Sequence, residues 1–370
     1  MRLSPHAAKR FAAFRRIRRA WWSFLALLAV FVFCLAAEWV CPCDPRAVVD
    51  SKTLEKYRTA DVRRTYDIQT ARFSVDDAGK IFDFEGPDAV RFLAEKGERE
   101  FPGYTVRRTA RAGYTRIFLE PVAPPVVREE MLPPAEITFP FPPCREHPFG
   151  IDAGGRDVYA RVVHGLRIAL VFGLLLALSG MAVGLVVGAV EGYFGGTADI
   201  LLQRFTEIWS AVPFLYVMIF IGSTVGRSFV VLLVCYAVFN WIGVSYYMRA
   251  EFLRLRSHMF VEAAKTQGLS ASRIIFSHIL PNALTPLITL FPFLLMGAIG
   301  SLAALDFLGF GLPPLMPSCG ELMNQAQQFR EAWWLILFPA AALFLVMLLT
   351  VFVGEGLRDA FDPRQRSRLE

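Results

Sequence analysis

The sequence predicts an all-α polytopic membrane protein: six transmembrane helices, with a small α+β or β-rich insert after the first. Three observations carry that expectation. Hydrophobic residues make up 55% of the 370 positions and charged residues only 19%, with a mean hydropathy of +0.42, a balance rare in water-soluble domains. Six apolar runs approach the ~20 residues needed to cross a hydrocarbon core ~30 Å thick. They fall in two groups, one run before residue 41 and five after residue 165, and the stretch between them is rich in charge, proline and turn residues.

The first run, from about Ala20 to Val40, follows the basic stretch Lys9, Arg10, Arg15, Arg16, Arg18 and Arg19. A signal peptide also begins this way, but its apolar part is roughly half as long. A retained anchor over 20–40 is expected, with residues 1–19 in the cytoplasm.

Residues 41–165 change character. Short alternating stretches such as Lys80-Ile-Phe-Asp-Phe84 and Thr115-Arg-Ile-Phe-Leu119 predict strands joined by turns. Proline then dominates from Pro121 to Pro148 and favours an extended tether over a packed element.

Five further spans are expected at 166–190, 200–222, 228–248, 283–304 and 333–354, with a loop at 249–282 and a tail at 355–370. An even number of spans puts both chain ends on one side. Positive charge assigns that side to the cytoplasm, since Arg249, Arg254, Arg256, Lys265 and Arg273, and the tail arginines Arg358, Arg364, Arg366 and Arg368, all fall there. The outer loop from Leu305 to Ala332 carries Asp306, Glu321, Arg330 and Glu331, an acidic excess. The long insert lies outside and is exempt from the charge rule.

Gly180, Gly184, Gly188 and Gly192 recur every four residues and leave a groove along one face of the second span, where another helix backbone can approach. Within spans, Glu207 is costly in hydrocarbon and is a candidate for the translocation path, although Arg204 one turn away can pair with it locally. Asn240, Thr285 and Thr289 are further candidates, with hydrogen bonding between helices as the plainer reading.

The segment from Phe260 to Asn282 predicts two short helices. Glu262, Ala263, Ala264 and Lys265 favour helix, Gly268 suits the left-handed position just past its end, and the Ser270 hydroxyl can cap the helix that follows. Pro281 is expected to interrupt that second helix. Ile274, Ile275 and His278 share one face, so the knob has an apolar side able to press into a partner's groove.

Here a resemblance enters. Glu262-Ala263-Ala264, three residues, Gly268, then a hydrophobic residue with Leu280-Pro281 resembles the coupling loop of binding-protein-dependent ABC permeases. His147-Pro-Phe-Gly150-Ile-Asp152-Ala-Gly-Gly155-Arg156-Asp157, continuing to Arg161, Gly165 and Arg167, resembles the dipeptide, oligopeptide and nickel branch, as do Gly192-Tyr-Phe-Gly-Gly196 and Leu305-Asp-Phe-Leu-Gly-Phe-Gly-Leu-Pro-Pro314. Within that branch the likeness is to the E-type permeases of Yej importers, which take up oligopeptides and peptide antibiotics such as microcin C. Gln203-Arg-Phe-Thr-Glu-Ile-Trp209 and Gly354-Glu-Gly-Leu-Arg-Asp-Ala-Phe-Asp-Pro363 carry the narrower likeness. His278 departs from the aliphatic residue common in the broader consensus, and the insert carries no recognised motif.

The resemblance implies the type I ABC importer permease fold in a bacterial inner membrane, working with a second permease subunit of the same family, ABC ATPase subunits and a periplasmic solute-binding protein. ATP and Mg would be used by the partner ATPase, with no cofactor bound by this chain. The sequence agrees, since no Gly-Lys-Ser or Gly-Lys-Thr follows the glycines at 192–196. No catalytic constellation appears.

The net charge of +6 does not point to nucleic acid, because the arginines gather beside apolar runs rather than on one basic face with interleaved aromatics. No Cys or His set has a metal-ligand spacing. Cys41, Cys43 and Cys144 stand outside on this topology, where a bridge from Cys41 or Cys43 to Cys144 would tie the ends of the insert, with free thiols as the alternative. Cys319 shares that space, and Cys34 and Cys235 are packing residues in spans. The rival class is an ion-coupled secondary transporter that works without an ATPase. That class predicts paired ionisable residues near mid-membrane in two repeated halves, and only Glu207 is a candidate.

Overall fold

The computed structural model describes residues 5–40, 44–50, 54, 62–66, 71–86, 88–101, 104–111, 113–122, 127–131 and 138–361. The chain divides into two compact units, Met1–Val49 with Thr138–Glu370, and Asp50–Ile137.

In the larger unit, α1 (Pro5–Arg16) and α2 (Arg18–Leu35) meet at Ile17, whose extended backbone (φ −79°, ψ 91°) breaks the helix between two pairs of arginines. A short α3 (Ala37–Val40) follows. The next helix of this unit, numbered α5 (Val158–Phe194) in chain order, starts where the Asp157 carboxylate accepts a bond from the Ala160 amide at 2.8 Å. Its 37 residues are roughly 55 Å long at ~1.5 Å per residue, so it projects beyond the hydrocarbon.

The third apolar stretch is not one rod. It forms α6 (Gly196–Ser210) and α7 (Phe214–Thr224), bent by 65°. Pro213 supplies the break: it has no amide to continue the ladder, and it takes the N-cap position of α7. Beyond it lie α8 (Phe229–Asn240), capped by the Ser228 hydroxyl, and α9 (Ile242–Arg256), which together have the length of one span. Next come α10 (Met259–Thr266), the single turn α11 (Ala271–Arg273), a π-helical turn (Ile274–Ile279) and α12 (Leu280–Phe307). The last two helices are α13 (Cys319–Gln328) and α14 (Trp334–Phe361).

Among the described residues five helices are long and apolar enough to cross a membrane, or six when the bent α6–α7 pair is counted as one span. Phe14 and Ala20 lie against Gly356 in α14, so the beginning and end of the bundle share one end. We call this the near end and the opposite one the far end. In the bundle α9 lies along α5, α12 and α14 pack on each other and on α5, and α2 lies against α14. The connection between α12 and α14 is not an open loop, because α13 buries Leu322 and Ala326 in the main core.

The smaller unit holds β1 (Val62–Tyr66), β2 (Ala71–Asp76), β3 (Ile81–Glu85), α4 (Asp88–Glu95), β4 (Tyr104–Arg111), β5 (Tyr114–Pro121) and β6 (Val127–Met131). Four strands form an antiparallel sheet in the order β3-β2-β5-β4, and Phe73, Val90, Phe101 and Leu119 close its core. β6 pairs with β1 from Val62 opposite Met131 to Tyr66 opposite Val127. This strand lies inside the stretch that the prolines suggest is an extended tether. Residues 127–131 contain no proline, so every amide there can join a ladder.

Candidate functional site

The coupling segment is built at the near end of the bundle. α10 ends in a pair of local bonds set by Gly268: its own amide donates to the Lys265 carbonyl at 3.0 Å, and the Leu269 amide donates to the Ala264 carbonyl at 3.2 Å. Gly268 has φ +76°, which an L side chain resists, so the sequence places glycine where this helix end needs it. Val261 and Ala264 are buried against α9, whose Met248, Phe252 and Leu255 share one core with them. Glu262, Ala263 and Lys265 face outward.

Three local expectations are corrected here. Ser270 occupies the N-cap position but makes no capping bond, because its hydroxyl pairs with that of Ser272 at 3.3 Å. Pro281 does not interrupt the second helix. The chain stays helical from Ala271 to Phe307, and the wider π turn just before the proline absorbs its missing amide, while the Asn282 side chain donates to the His278 carbonyl at 2.8 Å. Finally, Ile274 is buried and Ile275 and His278 are half-buried, so the apolar side of the knob faces its own bundle rather than solvent. Within this segment the large apolar side chains left open are Met259, Phe260 and Phe276, of which Met259 is 86% and Phe276 68% exposed. Periodicity did not single them out, although an exposed methionine next to phenylalanine in a polar segment is a recognisable signal of an adaptable contact surface.

From the knob the contacts lead into the bundle along one seam. A Cβ at Gly180 would stand 2.6 Å from the Asn240 side-chain nitrogen, at Gly184 2.6 Å from the Val244 Cβ, at Gly188 2.5 Å from the Ser245 carbonyl oxygen and at Gly192 2.6 Å from the Arg249 carbonyl oxygen. These four glycines of α5 therefore admit the backbone of the α8–α9 element. Beside the seam, Arg249 of α9 holds Asp199 of α6 through two bonds, Nε to Oδ1 at 2.6 Å and the second nitrogen to Oδ2 at 2.7 Å. Glu191 is buried next to them and takes the Ser245 hydroxyl at 3.3 Å.

Each residue with a candidate role in a solute path makes a local or interhelical contact, or lies half-buried. Glu207 lies on an exposed face of α6 and accepts a bond from Arg204 at 2.6 Å. Asn240 donates to the Leu176 carbonyl at 3.1 Å and so bonds between helices. The Thr289 hydroxyl turns back to the Pro286 carbonyl at 2.7 Å, and Thr285 is half-buried on the same helix.

The far end carries a second ionic cluster. Asp152, fully buried, accepts from the Gly154 and Arg156 amides at 2.9 and 2.8 Å. Arg161, also fully buried, lies 3.4 Å from Asp152 and bonds to Glu321 of α13. Gln325 completes the tie, its oxygen accepting from the Ala153 amide at 3.0 Å. A buried charge is tolerated only when paired, and this trio fixes the segment before α5 onto α13. Nearby, Asp306 accepts from the Leu312 amide at 2.6 Å and from the Ser318 hydroxyl, which shapes the turn after α12. Glu38 takes a bond from Arg167 at 2.8 Å.

Cys34 and Cys319 are buried, Cys144 and Cys235 partly so, and all four are free thiols. Burial pushes the Cys319 thiol up to about 12, which leaves it unreactive. Cys41 and Cys43, the expected partners of Cys144, lie outside the described residues.

A helical bundle of up to six crossings, two of its elements seamed by glycine, defines a polytopic membrane protein. The family of binding-protein-dependent transport system inner membrane components matches residues 180–367, half of the chain, and the chain belongs to it. Relatives extend the match. The chain is 33% identical to the peptidoglycan transport system permease protein YejE of Agrobacterium fabrum, covering 99% of this chain and 95% of the relative. It is 35% identical to the inner membrane ABC transporter permease protein YejE of Escherichia coli K12, covering 98% and 99%. It is 38% identical to the dipeptide transport system permease protein DppC of Alkalihalophilus pseudofirmus, covering 61% and 74%. Among solved structures, an inward-facing form of the MetNI methionine ABC transporter aligns with a TM-score of 0.46 at 18% identity, covering 54% of this chain and 96% of that one.

Proposed function

We propose that this chain forms half of the translocation pathway of an ATP-driven importer for oligopeptides or peptide-like solutes, a class that includes microcin C. A second permease supplies the other half, a periplasmic binding protein delivers solute, and separate ABC ATPase subunits bind ATP and Mg and dock on the near end. On this reading the near end is cytoplasmic, the insert periplasmic, and the spans run at about 20–40, 166–190, 200–222, 228–248, 283–304 and 333–354. The exposed arginines beside α2 and α9 at the near end support that orientation. The relatives named for dipeptide and peptidoglycan transport support the solute class.

The observation that carries the reading is the route from the knob. Met259 and Phe276 stand open for a partner, while the buried side of α10 rests on α9, and α9 is seamed to α5 and clamped to α6. A push on α10 therefore moves three helices together. Coupling needs only that the ATP-closed partner favours one arrangement of this block and the open partner the other.

The test is Phe276→Glu with Met259→Glu in cells that depend on peptide uptake. Both positions are exposed, so the chain should insert normally while uptake falls by at least tenfold. Cysteines placed at 259 or 276 should cross-link to the ATPase subunit. Unchanged uptake in the double variant, or uptake that survives loss of the ATPase genes, would refute the reading.

A further inference from the structure

We infer that the junction of α1 and α2 is a binding site for an anionic phospholipid, with the headgroup on its arginines and one acyl chain in a groove beside α2. Four arginines, Arg15, Arg16, Arg18 and Arg19, lie within five residues on either side of the break at Ile17, and the side chains of all four are exposed. Arg15 stacks over the Trp21 ring at 5.7 Å, and none of the four is paired with a carboxylate among the described residues. Four unpaired guanidiniums at the mouth of a membrane span need a counter-charge. Phosphate is the anion that a bilayer surface supplies.

Two exposed aromatics fix the depth. Phe11 is 51% and Trp22 67% exposed, one on each side of the arginines, as an interfacial element with an apolar and a cationic character requires. The inner side of the junction is anchored, since Phe14 and Ala20 pack on α14 at Gly356. The arginines are therefore held at the membrane surface rather than free to fold back.

Deeper along α2, Phe24, Leu27 and Phe31 line a cavity of about 190 Å³ with Leu170 and Leu174 of α5 and Leu295 of α12. Its lining is wholly apolar, so nothing in it selects a polar solute, and a hydrocarbon chain is the occupant that matches. Arg18 and Phe24 are six residues apart, roughly 9 Å along the helix. That offset places the groove just below the headgroup layer, which is about 5–7 Å thick on each side of the hydrocarbon core. One lipid molecule can thus engage both features. The inference requires only that α2 crosses the bilayer, and it does not depend on the solute or on coupling.

The test is lipid retention by the full chain, purified with whatever subunits accompany it and examined by native mass spectrometry after exchange into phosphatidylcholine, cardiolipin or phosphatidylglycerol. Wild type should keep the two anionic lipids and lose phosphatidylcholine. Arg16→Gln, Arg18→Gln and Arg19→Gln combined should weaken anionic retention by about fivefold per charge, roughly a hundredfold in all. Lys9, Arg10 and Arg15 remain to set orientation, which an accessibility tag on the N-terminus verifies. Leu174→Trp, which fills the groove, should lower retention of every lipid while keeping the preference for anionic ones. Equal retention of the three lipids by wild type, undiminished anionic retention in the glutamine variant, or efficient cross-linking of Leu28→Cys to a second permease subunit through the groove would overturn the site.

Discussion

Arg249 of α9 grips Asp199 of α6 with both arms of its guanidinium, at 2.6 and 2.7 Å, while its own backbone lies in the glycine seam that binds α9 to α5. The pair is mostly buried, with side-chain exposures of 24% and 14%, and bidentate charge-assisted bonds of this kind hold geometry as well as energy. It ties the start of the bent α6–α7 pair to the helix that leads into α10.

Asp199→Asn should keep the shape but lose one charge, weakening the clamp by about 1.5–3 kcal/mol. Solute uptake should fall about tenfold while the variant still binds its ATPase partner in copurification. The exchange Asp199→Arg with Arg249→Asp should recover part of the loss. Recovery in the exchange variant separates a pairing effect from simple damage to α6, and wild-type uptake in Asp199→Asn would show that α6 need not follow α9.

Arg161→Leu removes the cation between Asp152 and Glu321 and leaves two carboxylates without it. Breaking a buried pair from one side costs about 3–5 kcal/mol, so the variant should melt well below wild type in detergent, or fail to accumulate. Replacing Arg161, Asp152 and Glu321 together by apolar residues should be milder than the single change. Thermal unfolding followed by fluorescence distinguishes the two outcomes.

Two glycines predict opposite severities. At Gly188 a new Cβ would meet the Ser245 carbonyl oxygen at 2.5 Å and the Arg249 amide at 2.8 Å, so Gly188→Val must force α9 away from α5. Overpacking of that kind costs about 1–3 kcal/mol, and here it also spreads the seam. Gly268 has open space around it and only its positive φ to defend, so Gly268→Ala should cost about 1 kcal/mol and leave folding intact. Comparing the yield of folded protein and the melting temperature of the two variants checks this order.

The sequence by itself determined the features that local chemistry dictates. Apolar runs of sufficient length become crossing helices because a helix pairs its backbone groups within the one segment, as hydrocarbon demands. Gly268 ends α10 because only its φ suits the turn, and the four-residue glycine spacing marks a helix face that another backbone can approach. The tertiary structure decided what meets those faces. It chose α8 and α9 as the partner of the seam, bent the third apolar stretch at Pro213, carried the helix through Pro281 on a π turn, and brought Arg161 to Glu321 across 160 residues. It also turned Ile274 inward and left Met259 and Phe276 open, which reverses the face that periodicity favoured. The physical reason is one of range: helix length and caps depend on neighbours a few residues away, whereas burial and pairing depend on which distant segment packs alongside.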